Sequence, residues 1–360
     1  MAGTLKSTYI IAEAGVNHNG SAELAARLID AAAEAGADAV KFQTFKAERL
    51  VSRRAQKAEY QKRTTGEGES QMEMLRRLEL GDDVFGKLAA RAEERGVEFL
   101  STPFDVESLT MLVGLGVRRM KLGSGDVTNA PLLRAVGLTG LPVILSTGMC
   151  LLADVEGALG VLASAYLEQR GEGRRLPFDA LTSPEGQALV EANVTLLHCT
   201  TEYPAPLDQV NLRAMDTLRQ AFGVSVGYSD HTEGASIPIA AVALGASVIE
   251  KHFTLDRSME GPDHRASIEP VELAAMVRGI RAVETALGRS IKRPGPAEIA
   301  NRPIARRSVV AAVRIAQGQT ISLDMLATKR PGAGISPMLI DELVGRPASR
   351  DYEPDDPIER

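Results

Sequence analysis

Residues 9–20 read Tyr-Ile-Ile-Ala-Glu-Ala-Gly-Val-Asn-His-Asn-Gly, a short apolar run of strand character that ends in Glu13 and passes into a turn. That turn, Gly15 to Gly20, lacks the G-x-G-x-x-G spacing that an open, doubly wound sheet usually carries after its first strand to cradle a dinucleotide. An apolar run leading into chemically able residues then recurs along the chain. Ala39-Val40 leads to Lys41 and Gln43, Glu98-Phe-Leu100 to Ser101 and Thr102, and Arg119-Met120 to Lys121 and Ser124. Pro142-Val-Ile-Leu145 leads to Ser146 and Thr147, Val194-Thr-Leu-Leu197 to His198, Val224-Ser-Val226 to Ser229 and His231, and Val248-Ile249 to Glu250, Lys251 and His252.

Helical patterns separate these runs. Ser21 is placed to cap a helix carrying Leu24, Leu28, Ile29 and Ala32 at helical spacing. Further helices are expected after Asp82-Asp83, over Val106 to Leu115, after Asn129 with Pro131 in the first turn, and over Ala153 to Ala165, Leu212 to Phe222 and Ala235 to Leu244. The last runs from Pro270, with Leu273, Met276, Val277, Ile280 and Leu287 on one stripe, to Gly288. Eight strand–helix alternations imply a parallel sheet covered by helices, and eight favour closure into a (β/α)8 TIM barrel over residues 1–288. In that fold the C-terminal strand tips converge on one face, where such enzymes keep their sites.

Two long segments interrupt the rhythm. Lys46 to Leu80 leaves a catalytic-face tip and reads either as a solvated surface helix or as a lid; Tyr166 to Ala192 returns to the opposite face and reads as a surface elaboration. After Gly288 the character changes. Residues 289–304 read as a linker, and from 305 to 360 come short β-like runs, Ser308 to Val313 and Thr320-Ile321, with turn signals at Gln317-Gly318 and Pro331-Gly-Ala-Gly334. A second, mostly β domain of that size is marginal by itself.

Composition narrows the function classes. The 360 residues are 44% hydrophobic and 24% charged with a net charge of −6, an ordinary globular balance without a broad basic surface for nucleic acid. Trp is absent and aromatics are 4%, a poor basis for stacking on bases. No apolar run approaches the roughly 20 residues that span a bilayer, and no signal peptide is evident, so no membrane partner is expected. Two cysteines, Cys150 and Cys199, form no disulfide framework and point to a reducing, cytoplasmic setting.

The strand tips supply two constellations. His231 and His252 end adjacent strands, roughly 5 Å apart in a sheet, so their imidazoles can share a divalent cation, Mn2+ foremost, with Mg2+ or Zn2+ as alternatives. The plainer reading is two hydrogen-bonded histidines without a metal. Across the mouth, Lys41, Lys121, Thr102, Ser124 and Ser146 suit a phosphate or carboxylate. Glu13 and Asp126 are carboxylates available for proton transfer, Asp126 being also a candidate helix cap. His18 and His264 lie in loops and read as exposed, His198 as a core histidine, and Cys199 has no base partner other than His198.

These motifs resemble the sialic acid synthase family, which makes nine-carbon nonulosonic acids. The segments are IIAEAGVNHNG from Ile10, KFQTF from Lys41, STPFD from Ser101, KLGSGD from Lys121, ILSTGM from Ile144, LLHCTTEYPAP from Leu196, VGYSDHT from Val226, EKHFTLDR from Glu250 and GPDH from Gly261. RRSVVA from Arg306 and KRPGAGISP from Lys329 resemble the antifreeze-like SAF domain, a β-clip fold, that ends these synthases. The resemblance implies condensation of phosphoenolpyruvate with an open-chain N-acetylated mannosamine-type aldehyde, with release of phosphate by C–O cleavage. It implies His231 and His252 as metal ligands; Lys41, Gln43, Thr102, Lys121, Ser124 and Ser146 on phosphoenolpyruvate; Glu13 on the sugar and in proton transfer; and Thr201, Tyr203, Ser229 and Asp263 around the sugar. It also implies a domain-swapped homodimer in which Arg330 reaches the sugar site of the second subunit.

The chain departs from the pattern at Asp126, where Glu is usual, and at Thr201, where sialic acid synthases often have Asn. The TTEYPAP and FTLDR versions look more like synthases of legionaminic acid, which use a 2,4-diacetamido-2,4,6-trideoxy sugar. The segment Tyr166 to Ala192 is also longer than the family leads one to expect. Two rival readings are a Schiff-base aldolase using Lys121 or Lys251 and a non-catalytic carbohydrate- or ice-binding protein.

Overall fold

The structure, a computed structural model, describes residues 7–66 and 68–359. The chain divides after Gly288 into two compact units. Among the described residues of the first unit are eight parallel strands: β1 (Tyr9–Gly15), β2 (Ala39–Thr44), β3 (Glu98–Pro103), β4 (Met120–Leu122), β5 (Val143–Ser146), β6 (Val194–Cys199), β7 (Ser225–Asp230) and β8 (Val248–His252). Their hydrogen-bonded order is β3-β2-β1-β8-β7-β6-β5-β4. The two ends of that order, β3 and β4, come within 8 Å of each other and close the sheet into a barrel. Arg119 joins them at the base by donating to Glu98 Oε1 at 2.9 Å.

Strand alternation sorts the side chains. Ile11, Ala39, Leu100, Ile144, Leu197 and Val248 form one apolar layer inside the barrel. Their neighbours Ile10, Val40, Leu145, Leu196 and Ile249 pack outward under the helices. Because successive side chains alternate faces, the residue two positions beyond each inner apolar group also points inward. Those residues are Glu13, Lys41, Thr102, Ser146, Cys199 and Glu250. The apolar layer is therefore the floor of a polar chamber. Gly227 keeps β7 close to that floor: a Cβ there would stand 2.4 Å from Val248 O and 2.7 Å from Leu197 Cδ2.

The helices follow their sequence signals. Helix α1 (Ala22–Glu34) starts where the Ser21 hydroxyl accepts from Leu24 N. The long segment after β2 folds into α2 (Ala47–Leu50), α3 (Glu59–Thr65) and α4 (Gln71–Leu78) rather than one solvated helix. Met74, Leu75 and Leu78 of α4 bury against Val16 and Phe45, and the Thr64 hydroxyl lies 3.4 Å from Pro262 O, so the segment packs over the loops that follow β1, β2 and β8 on one side of the barrel mouth. Helices α5 (Asp82–Glu94), α6 (Val106–Gly114) and α7 (Ala130–Leu138) come next, with Asn129 capping α7. Helix α8 (Leu152–Gln169) carries the expected elaboration as α9 (Pro177–Thr182) and α10 (Pro184–Asn193). Helices α11 (Ala214–Phe222), α12 (Ser236–Ala243) and α13 (Pro270–Leu287) complete the unit. No helix among the described residues is long and apolar enough to cross a membrane.

The second unit opens with helix α14 (Pro296–Ala305), inside the stretch read as a linker. Pro296 at its first turn and Glu298, accepting from Gly295 N, are ordinary helix-start signals that the Pro- and Gly-rich composition masked. Strands β9 (Ser308–Ala311) and β10 (Leu326–Lys329) pair antiparallel over a small core that includes Val309, Ile315, Ile321, Leu343 and Tyr352.

His18 and His264 correct an expectation, because both are buried rather than exposed in their loops. Gly20 N donates to His18 Nδ1 at 3.0 Å, while the His264 ring bridges Thr254 Oγ1 at 2.6 Å and Asn19 Oδ1 at 3.2 Å. Burial, and for His18 the nearby His264, holds each ring at a pKa of about 4. An unfolded chain would bind these protons near pH 6.5, as free histidine does. Between about pH 6.5 and 4 the unfolded state thus holds more protons, so these rings make stability fall as pH falls through that window. Urea unfolding of the wild type and His264→Asn across this range should show a shallower pH dependence in the variant; identical slopes would refute the linkage.

Candidate functional site

The polar chamber above the floor is built around four charges. Lys41 Nζ lies 2.7 Å from Glu13 Oε2 and 3.7 Å from Glu250 Oε2, and Lys121 Nζ lies 3.5 Å from Glu250 Oε1. All four side chains are at most 5% exposed. Hydroxyls complete the lysine shells: Lys41 donates to Thr102 Oγ1 at 3.1 Å and Lys121 to Ser146 Oγ at 2.7 Å. Ser229 donates to Glu250 Oε1 at 2.9 Å. Glu250 was legible as a strand tip but not as part of this set; its inward direction, two positions past Val248, was the available signal.

Their electrostatics differ. Burial pushes the Glu13 carboxyl up to about 7, against the pull of Lys41. Burial also disfavours charge on Glu250, yet Lys121 and Lys41 together hold it down at about 2. Burial would lower Lys41, but Glu13 and Glu250 outweigh it and raise the ammonium, whereas burial prevails at Lys121 and lowers it. An anion arriving here meets two cations with hydroxyls attached, which is the chemistry of a phosphate or carboxylate site.

The histidines stand on the adjoining arc. The rings of His231 and His252 have centroids 5.4 Å apart, and Tyr203 packs 4.1 Å from the first and 5.5 Å from the second. Burial lowers both imidazoles, His252 strongly and with help from His231, so both are neutral and carry lone pairs. His231 Nδ1 lies 2.6 Å from Thr200 O, and donation to that carbonyl leaves Nε2 as the free lone pair. His252 Nδ1 is buried without a hydrogen-bond partner, 3.9 Å from Asp263 Oδ2. Two neutral imidazoles, one with an orphaned buried nitrogen, fit a divalent cation whose remaining positions are filled from solvent or substrate. No group of three or more His, Cys, Asp or Glu residues among the described residues could hold a metal alone.

Between the two arcs sits Gly15 at φ +53°; a Cβ there would lie 3.2 Å from Glu13 Oε1, 3.6 Å from Gln43 Nε2 and 3.7 Å from Asp263 Oδ2. A side chain at this position would fill the space these three groups share. Asp263 is itself buried, and burial raises its carboxyl to about 6. On the other flank Gly148 N donates to Ser124 Oγ at 2.8 Å, and Cys199 Sγ is 3.2 Å from the same hydroxyl. A Cβ on Gly148 would meet Thr201 Oγ1 at 2.3 Å, so Ser124, Cys199 and Thr201 gather around one glycine. Beside them a cavity of about 850 Å3 opens at the tips of β5 and β6, lined in part by Thr147, Cys199, Thr201 and Glu202.

The remaining candidates are placed less centrally. Asp126 is half-buried on a short turn after β4, where it accepts from Asn129 Nδ2 at 3.0 Å and burial raises its carboxyl. The cap of α7 is Asn129, which leaves Asp126 outside that helix. Arg330 belongs to the second unit and is exposed. His198 turns outward, with Nε2 2.7 Å from Val210 O, and so gives Cys199 no base. Lys251 also points outward and is 0% exposed in an ion pair with Asp230, which removes it as a Schiff-base nucleophile.

The NeuB family model matches residues 28–292, and that of the SAF domain matches residues 306–359. The chain is 47% identical to the N,N'-diacetyllegionaminic acid synthase of Campylobacter jejuni, over 98% of this chain and 99% of that one. It is 46% identical to the protein of the same name from Legionella pneumophila, over 95% and 91% of the two chains. Among solved structures, the N-acetylneuraminic acid (sialic acid) synthetase of Leptospira borgpetersenii in complex with citrate superposes with a TM-score of 0.66 at 34% identity, covering 82% of this chain and 90% of that one.

The four-charge cluster makes one prediction about the fold. Lys41→Met leaves Glu13 and Glu250 with one counter-charge fewer in a dry chamber, and breaking a buried pair in this way costs about 3–5 kcal/mol. Chemical denaturation should register that loss; an unchanged unfolding free energy would show that Lys41 is not the partner of these carboxylates.

Proposed function

Because the chain belongs to the NeuB family, we propose that it is a phosphoenolpyruvate-dependent nonulosonic acid synthase, a transferase acting on an open-chain N-acylated mannosamine-type aldehyde. The single observation that carries this reading is the juxtaposition, on one barrel face, of two lysine–hydroxyl pairs with two neutral histidines. One arc suits the phosphate and carboxylate of an enol phosphate. The other suits an aldehyde.

The distances support the following roles. Lys41 with Thr102, and Lys121 with Ser146 and Ser124, bind the phosphate and carboxylate; Gln43 closes the same arc. Glu13 stands next to Lys41 on one side and shares the Gly15 space with Asp263 on the other, so it touches both substrates and moves the proton between them. C3 of the enol bonds to the aldehyde carbon, water adds at C2, and the C2–O bond breaks to release inorganic phosphate. Asp126, its carboxyl raised by burial, is assigned to the water step. Tyr203, Thr201, Ser229 and Asp263 orient the sugar. His231 and His252 would hold a divalent cation, for which we propose Mn2+, and when bound it would supply Lewis-acid polarisation of the aldehyde oxygen.

For the sugar we propose 2,4-diacetamido-2,4,6-trideoxymannose, which makes the product N,N'-diacetyllegionaminate. The TTEYPAP and FTLDR segments support this choice, as do the two relatives named for that product. The two unpaired cysteines support a cytoplasmic location. We further propose a homodimer in which Arg330 of one copy serves the sugar site of the other, the arrangement that the family resemblance implies.

Phosphate release by the purified protein tests the reaction. Release should require phosphoenolpyruvate, the diacetamido sugar and a divalent cation, and N-acetylmannosamine should be turned over more slowly. A rate untouched by chelator, or borohydride trapping of a pyruvate adduct on Lys121, would overturn the synthase in favour of an aldolase. His231→Ala and His252→Ala should each lose more than the roughly 10- to 100-fold that removal of an outer-shell metal partner costs. Arg330→Ala should raise KM for the sugar and leave KM for phosphoenolpyruvate unchanged; parallel shifts in both would count against its assigned role.

A further inference from the structure

Lys251 and Asp230 are register partners on the parallel ladder of β7 and β8, and both are 0% exposed. Lys251 Nζ lies 2.6 Å from Asp230 Oδ2 and also donates to Thr232 O. Asp230 Oδ1 accepts from Tyr228 OH at 3.0 Å and Thr232 N at 3.0 Å, and Oδ2 accepts from the Thr232 hydroxyl at 3.1 Å. Every one of these bonds lies on the outward side of the strands, out of reach of the substrate chamber.

The layer itself accepts apolar packing, since Tyr228 and Ile249, the outward register pair one step earlier on the same strands, both lie in the apolar core. Buried ion pairs add little net stability compared with apolar groups of similar volume. What an apolar pair could not do is hold both the amide and the carbonyl of Thr232. Asp230 and Thr232 flank His231, and Lys251 precedes His252. One buried charge pair therefore fixes the chain on both sides of the first imidazole and directly before the second.

We propose that the Lys251–Asp230 pair is the positioning device of the His231–His252 cation site. By clamping residues 230–232 to β8 it sets the spacing and direction of the two rings, while Thr200 O selects the nitrogen that His231 presents. The pair touches neither substrate nor cation. This proposal rests on the cation-site reading above.

The test is Mn2+ binding to the whole protein without substrates, followed by titration calorimetry, with the unfolding temperature of the metal-free protein measured alongside. Asp230→Asn/Lys251→Met removes both charges at nearly constant volume. It should remain folded and bind Mn2+ about 10- to 100-fold more weakly, the usual cost of an outer-shell loss. Thr44→Val/Ser101→Ala removes an equally buried polar pair, 2.7 Å apart, in the same layer between β2 and β3, and should leave Mn2+ affinity unchanged. A folded Asp230→Asn/Lys251→Met protein with an unchanged Kd overturns the positioning role, as does an equal loss in the β2–β3 control. Should that double variant fail to fold, Thr232→Val, which deletes only one hydroxyl bond to Asp230, should still weaken Mn2+ several-fold, and an unchanged Kd there overturns the proposal. Absence of saturable Mn2+ binding in the wild type overturns the cation site itself.

Discussion

Two ammonium groups and two carboxylates share a chamber almost without solvent access, and the rest of the molecule is arranged to make that tolerable. Moving one such ion out of water costs several kcal/mol, and the cost is recovered only when partners stand within contact distance and the leftover donors are satisfied. Lys41, Lys121, Glu13 and Glu250 meet the condition because they come from β2, β4, β1 and β8 and the sheet closes. In an open sheet with the same order, β4 would lie at the far edge from β2. The apolar floor serves the same end, since it keeps water from rising through the barrel and fixes the height at which the charges meet. The two carboxylates are not equivalent. Glu250 sits between both lysines and stays ionised, whereas Glu13 has one lysine and so can take or release a proton near neutrality.

Much of this could be read from the chain because strand periodicity is strict. A run such as Val143-Ile-Leu-Ser146 states both its length and its tip, and eight runs separated by amphipathic helices leave few topologies. Helix ends were equally plain at Ser21, Asn129 and Pro270, where the capping or first-turn residue acts within a few positions of itself. The tips also placed Lys41, Thr102, Lys121 and Ser146 at one mouth.

What sequence reasoning missed depends on contacts between distant segments. Glu250, Lys251 and His252 are consecutive, and only alternation from an inward Val248 shows that the lysine faces away while its neighbours face the chamber. His18 and His264 become buried because the loops after β1 and β8 fold onto each other, which no local pattern announces. Gly148 resembles any turn glycine until Ser124 from the tip of β4, and Cys199 and Thr201 from that of β6, are seen to converge on it. The segment after β2 was undecided between lid and surface because its buried stripe, Met74 with Leu75 and Leu78, finds its partners at Val16, Phe45 and Phe104.

The chamber and its rim answer to different constraints. Its charged residues sit on strands, where a shift in one backbone moves its ladder partners and leaves a buried charge unpaired. Thr201, Tyr203 and Asp263 sit on loops past the tips, and loops tolerate change because their backbone is not committed to a ladder. With the roles proposed above, a barrel built this way can exchange its sugar while keeping its enol chemistry, since most of the residues assigned to the sugar are not those that balance the charges. Glu13 and Ser229 are the exceptions, both strand residues: Ser229 donates to Glu250, and Glu13 reaches the Gly15 space beside Asp263. A change of sugar that needed a different group at that point would have to replace the partner of Lys41 at the same time. With those proposed roles, position 13 answers to both demands, whereas position 201, outside the charge cluster, is free to follow the substrate.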